Sequence, residues 1–438
     1  MDDSITINHK INKQAEGTYY TIPFAVPDGI ENITVSYTYG KDAGRTGKAG
    51  RFSRVSNVVD LGLMDQNGRF LGWSGSSRNT VSVGVRSSTK GYIKTEIQPG
   101  DWQIIVGAYK IPDEGLDVRY EIEFTADKPR WLTGDIHMHS DASDGQHDIA
   151  ALAKKAIKAG LDFIAVTNHN NYTDNFNLPS VSGLTLLPAV EWTLYKGHFN
   201  FYGITSPFEN SFIANNEEEM LALINSVHDK GALISVNHPK CNICPYLWES
   251  VDCFDMVEVW NGPMRRSNIN AISWWHDLLQ QGRRLPIVGG SDFHSDFHPV
   301  RFAHPVLRVF SKSTAAVDIL SAISHGHSYI TSSVKGPVLD LRCGNAIMGD
   351  NAIMGDTIDW REGLELSVAA EQVRFGCKLK LVTSDGIAAE WKHFSRAGIR
   401  ATVKIPDSWR FAYLVLSRKI FGREYACAIT NPIYFVHK

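Results

Sequence analysis

The sequence is short of the features that mark several large classes of protein. Six cysteines, Cys241, Cys244, Cys253, Cys343, Cys377 and Cys427, are too few to staple 438 residues into a disulfide scaffold. The fold must therefore rest on hydrophobic cores, and a reducing compartment is expected. No apolar run reaches the length of a membrane helix, and none stands behind Met1-Asp2-Asp3-Ser4, which points away from a membrane and toward a cytoplasmic location. Charge of one sign is also lacking: 44 basic and 47 acidic residues leave a formal net charge of -3. Neither a long nucleic acid nor an anionic membrane surface is then an expected partner. Gly289-Gly290 does not continue into a nucleotide fingerprint, and reads as a place where the backbone must pass close to its neighbours. Cys241-Asn242-Ile243-Cys244 has no second pair of the same spacing, so free thiols are expected.

What is present changes texture twice along the chain. Residues 1–128 carry short β-branched and aromatic runs cut by Gly, Pro, Asp and Asn, the pattern of a β-sandwich-like domain. In residues 129–335 apolar runs alternate with helical stretches, an α/β arrangement in a barrel or sheet. Ile149, Leu152, Ala153, Ala156 and Ile157 share one face of a helix that Gly160 can end in the left-handed conformation, and a second helix over 217–230 stops at Gly231. Residues 336–438 return to alternating strands, a second β-sandwich-like domain. The tandem Asn-Ala-Ile-Met-Gly-Asp at 345–350 and 351–356 is too short to stack as a repeat fold and carries no functional reading.

Chemistry concentrates at the strand ends of the central region. The first strand ends in His137-Met138-His139, where a one-residue gap on extended chain turns both imidazoles to one side. Asp144 follows in the next loop, the second strand ends in Thr167-Asn168-His169, the third in Glu191, and His198 opens the fourth. Asn237-His238-Pro239 ends the fifth and Gly290-Ser291-Asp292-Phe293-His294 the seventh. Parallel strands in a barrel bring such positions to one mouth. A single strand-end histidine is more often structural. Nine ionisable groups in one mouth would repel and desolvate one another unless cations compensated them, so a multinuclear metal site is expected.

These motifs resemble the PHP (polymerase and histidinol phosphatase) domain family, and the flanking layout resembles its CehA/McbA-type branch. The motifs Asp135-x-His137-x-His139-Ser140, Ser143-Asp144-Gly145, Thr167-Asn168-His169-Asn170, Glu191, Gly197-His198, Asn237-His238-Pro239 and Gly290-Ser291-Asp292-x-His294 stand in the family's order. The resemblance implies a distorted (β/α)7 barrel flanked by the two β domains, with two or three divalent ions, zinc, manganese or iron, at its mouth. It would give one ion to His137, His139, Glu191 and Asp292, a second to Glu191, His198 and His238, and a third to Asp144, His169 and His294. Asn168 stands where the family has an aspartate, which puts a proton role at that position in doubt.

An electropositive mouth favours a small phosphorylated substrate, and the expected nucleophile is a metal-activated hydroxide rather than a serine or cysteine. Two other readings stay open: hydrolysis of uncharged esters, carbamates or amides, and a catalytically silent protein that binds a glycan or a partner. Arg265 and Arg266 are candidates to grip phosphate, against the plainer reading of a solvated surface pair. His304 reads as structural. Trp192, Tyr195, Trp248, Trp260, Trp274 and Trp275 are either pocket walls or core. Whether the β domains rim the pocket or form a homo-oligomer contact stays open.

Overall fold

The computed structural model describes residues 4–41, 57–126, 128–297, 299–344, 351–392 and 398–437. The chain divides into two compact units, Met1–Lys128 with Ser180–Gly183, and Pro129–Pro179 with Leu184–Lys438. In the first unit, alternating strands such as Ile30–Tyr39 and Leu116–Ala126 put every second side chain inward. They form two four-stranded antiparallel sheets that share one core around Trp102, Tyr37 and Tyr120.

The second unit holds the strands expected to carry the chemistry: β1 (Arg130–Asp135), β2 (Phe163–Ala165), β3 (Ala189–Leu194), β4 (Gly197–Tyr202), β5 (Leu233–Asn237), β6 (Met256–Asn261) and β7 (Ile287–Gly290). Its helices are α1 (Ile149–Ala159), α2 (Glu217–Asp229), α3 (Arg266–Gln280) and α4 (Ala316–Ser324). Helix α1 begins where Asp148 accepts a hydrogen bond from the Ala151 N–H at 2.6 Å, and ends at Gly160 with φ 83°. Leu152, Ala153 and Ala156 are its buried face.

A regular (β/α)7 barrel is not what these residues form. β1 and β2 belong to an eleven-stranded sheet, whereas β3 to β7 form a separate five-stranded one. Tyr195 and Lys196 alone join β3 to β4, too short for a crossover helix, so β4 runs antiparallel to both neighbours. Among the described residues, no helix of the α type follows β2, β3 or β5 before the next of these strands. Isolated bridges Met138↔Phe293 and His169↔Glu191 nevertheless draw the ends of the two sheets together.

The two units divide near residue 128, and the change of texture at 335/336 falls inside the second of them. Ser328–Thr331 pairs antiparallel with Arg423–Thr430, so the sheet containing β1 continues into C-terminal strands. Sequence texture cannot show a pairing between residues as distant as Tyr329 and Thr430. The remaining C-terminal strands include a four-stranded antiparallel sheet over a core with Leu341, Leu366 and Leu414. The first hexapeptide copy, 345–350, lies outside the described residues; the second contains the short strand Ala352–Ile353. No described helix is long and apolar enough to cross a membrane.

Candidate metal centre

The nine residues converge. β1 delivers His137 and His139, both fully buried, and the loop before α1 brings Asp144, whose side chain is 56% exposed and marks the open side. His139 Nε2 lies 3.0 Å from Asp292 Oδ1 and 3.4 Å from Glu191 Oε2, and His137 Nε2 lies 3.4 Å from the same two oxygens. Glu191 is the hub. Its Oε2 is 3.0 Å from His169 Nδ1, and its Oε1 is 3.1 Å from His198 Nδ1 and 3.4 Å from His238 Nε2. His294 Nε2 lies 3.4 Å and His169 Nε2 3.7 Å from Asp144 Oδ2. The rings of His169 and His294 stack on that of His139 at 4.3 and 4.1 Å.

Backbone contacts hold these strand ends in register. Asp292 N–H donates to His137 O at 2.8 Å, His139 N–H to Phe293 O at 2.9 Å, and Asn170 N–H to Glu191 O at 2.8 Å. Gly290 allows the first approach, because a Cβ there would sit 2.4 Å from His137 Cβ. His238 and Asp292 hold φ of 30° and 54°, a left-handed conformation that costs a non-glycine residue about 1–3 kcal/mol and that clusters at functional sites.

Electrostatics pull the groups apart. Burial works against charge on His137, yet Glu258, Glu191 and Asp292 raise its pKa well above the ordinary imidazole range. Burial likewise opposes a proton on His238, but Glu191, Glu258 and Asp292 raise it to about 9. His139, buried and facing the His137 charge, is lowered to about 4. Burial would raise Glu191, but the surrounding imidazoles hold it well below the usual carboxylate range.

The donor chemistry fits divalent ions. His137 Nε2, His139 Nδ1 and Glu191 Oε2 are buried without a hydrogen-bond partner, an arrangement costly in a dry site unless a cation takes their lone pairs. Candidate ligand atoms group as His139, Asp144, His169 and His294; as His137, His139 and Glu191; as His137, His238 and Asp292; and as His198, His238 and Cys244, with each group's atoms within 4.8 Å of one another. Nitrogen and oxygen donors predominate, as zinc, manganese and iron accept.

Three contributors escaped the sequence reading. Glu258, buried on β6, lies 2.8 Å from His137 Nδ1 and accepts the His238 N–H at 3.0 Å. The signal was one carboxylate inside the apolar run Met256-Val257-Glu258-Val259-Trp260. Asp174 accepts from the Asn168 side-chain amide at 2.9 Å and from the Ser140 hydroxyl at 2.6 Å. Cys244, read as a free thiol, stands 3.5 Å from His238 Nδ1.

The weaker candidates have varied surroundings. Arg265 and Arg266 are exposed at the start of α3. Trp192, Trp248, Trp260 and Trp275 are core, Trp274 packs on it, and Tyr195 is fully exposed. A cavity of about 720 Å³ lined by residues including Trp260, Met264, Arg301, His304, Arg374 and Arg418 contains none of the nine.

Comparison with known proteins covers part of this site. Residues 135–250 match the family model "PHP domain". A stretch of 107 residues, 23% of the chain, is 33% identical to the DNA polymerase/3'-5' exonuclease PolX of Bacillus subtilis (strain 168), and spans only 18% of that protein. Among solved structures, the chain is similar to a two-domain protein from Bacteroides vulgatus ATCC 8482 described as containing a predicted PHP-like metal-dependent phosphoesterase (18% identity, TM-score 0.40, 68% of this chain and 95% of that one). It is also similar to the lesion-specific endonuclease PfuEndoQ of Pyrococcus furiosus (17%, TM-score 0.34, 46% and 58%) and to an amidohydrolase of Chromobacterium violaceum (15%, TM-score 0.29, 38% and 89%).

Proposed function

We propose that this protein is a metal-dependent phosphoesterase acting on a small phosphate monoester or diester, with a PHP-type centre of two or three divalent ions. The observation that carries this reading is the convergence of nine ligand-type side chains, Glu191 among them as the hub, with buried donor atoms left unpartnered. Bound zinc, manganese or iron would supply Lewis acidity toward phosphoryl oxygens and toward water.

The chain's own groups do the rest. His137, His139, Glu191 and Asp292 would hold one ion, Glu191 with His198 and His238 a second, and Asp144, His169 and His294 a third. Glu258 fixes the orientation of His137 through Nδ1, leaving Nε2 directed at Glu191 and Asp292. The Asn237 side-chain amide donates to Glu191 Oε1 at 3.0 Å and fixes that carboxylate in turn. Asn168, where the related pattern has an aspartate, accepts the Ser140 N–H at 2.7 Å and pins the loop after His139. With that amide linked to Asp174, the position acts as a brace rather than as a proton carrier.

The test is metal analysis of the purified protein together with hydrolysis of phosphomonoesters, phosphodiesters and carbamates. Bound divalent metal and phosphoester cleavage lost in E191Q is the expected result. Turnover of uncharged carbamates, esters or amides with no phosphoester cleavage would replace the substrate class, and bound metal with no hydrolysis would favour a silent binding protein.

A further inference from the structure

The loop after β5 runs Asn237-His238-Pro239-Lys240-Cys241-Asn242-Ile243-Cys244 and turns back on itself. Cys241 N–H donates to His238 O at 2.8 Å and Tyr246 N–H to Pro239 O at 3.0 Å. The turn returns Cys244 Sγ to 3.5 Å from His238 Nδ1 and 3.3 Å from Cys241 Sγ. Donor atoms of His198, His238 and Cys244 all lie within 4.8 Å of one another. Ligand bonds of about 2.0 Å to nitrogen and 2.3 Å to sulfur, at a tetrahedral angle, place two such donors about 3.5 Å apart. The observed sulfur–nitrogen separation therefore already suits a shared ion. Glu191, fully buried, turns its Oε1 to the same two histidines, 3.1 Å from His198 Nδ1 and 3.4 Å from His238 Nε2, so the carboxylate meets His238 at one ring nitrogen and the sulfur at the other.

We infer that Cys244 is a metal ligand, its thiolate joining His198 and His238 around one ion of the centre. The inference rests on the metal-dependent reading above and adds to it a soft ligand at one edge of a cluster otherwise built from imidazole and carboxylate. On binding, the thiol proton leaves to solvent and a sulfur–metal bond forms, with no change of oxidation state. Sulfur biases that position toward zinc over manganese, whereas the Asp144, His169 and His294 position keeps only nitrogen and oxygen and has no such bias. The centre is thus suited to two kinds of ion at once.

Cobalt(II) titration of the full chain tests this, because a thiolate ligand gives a charge-transfer absorption in the near ultraviolet that nitrogen and oxygen ligands do not. The band should appear in the wild type, persist in C241S and vanish in C244S, whose zinc affinity should fall by about tenfold or more. C244A, with circular dichroism matching the wild type, guards against a folding defect. Cobalt bound without a sulfur band would leave Cys244 as a hydrogen-bond partner of His238 alone, overturning this inference while the metal-dependent reading stands. No cobalt bound at all would overturn both.

Discussion

His137 is held from one side by Glu258, 2.8 Å from Nδ1, while its Nε2 has no hydrogen-bond partner. Removing that hold in E258A should lower metal affinity by about 10–100-fold, measured by competition with a chromophoric chelator, because an outer carboxylate both orients an imidazole ligand and raises its basicity. An unchanged affinity would make Glu258 a bystander. His238 supplies a pH signature. In the metal-free protein its pKa is raised from 6.5 to about 9, so the stabilisation from its charge is complete below the unfolded value and is lost as pH rises through the folded one. Bound metal reverses the sign, since a ligand must shed its proton. Thermal midpoints of the chelated protein should therefore fall between about pH 6.5 and 9, and those of the metal-loaded protein should not. Parallel slopes would contradict the assignment. The nine candidate residues were legible as a set because they recur, unit after unit, near the strands of one α/β region. Glu258 was not, because one carboxylate inside an apolar strand looks the same whether it faces solvent or a histidine.

Between elements, the site depends on how closely β7 can approach β1. G290A would place a methyl group 2.4 Å from His137 Cβ, and should cost about 1–3 kcal/mol of stability in denaturant unfolding. Loss of bound metal should accompany it, since His137 must shift. Normal stability with full metal content would show that the strands can part without consequence. Helices α1 and α2 were readable from their amphipathic spacing and the glycines that follow them, and both begin at a side-chain cap, Asp148 and Asn216. The strand order was not: the hairpin turn Tyr195-Lys196 sets β4 antiparallel within its sheet, and the break that leaves β2 in one sheet and β3 in another has no mark in the sequence. Strands Val306–Ser311 and Ser328–Thr331 also went unseen, being short and mostly buried, with no clear alternation of polar and apolar residues.

Across the second unit, Asn431 ties the C-terminal strands to the base of β7. Its side chain accepts the Ile287 N–H at 2.8 Å and donates to Ser328 O at 2.9 Å, fully buried. N431A should cost about 1–3 kcal/mol by stranding those backbone groups, and should reduce metal content as well, because β7 leads directly to Asp292 and His294. A variant of normal stability and full metal content would separate the two regions after all. Three-region texture was visible in the sequence; the strand pairing that links the second region to the third was not, since it joins residues about a hundred apart.

That anchor has a bearing on how the protein is made. A ribosome delivers His137 and His294 long before Asn431, and until Arg423–Thr430 and Asn431 emerge the base of β7 lacks its side-chain clamp. Before that segment is made, the chain would hold an open, shifting set of imidazoles, so the ions should enter only once Asn431 is in place, and a chelator pulse applied earlier should do little harm compared with one applied afterwards.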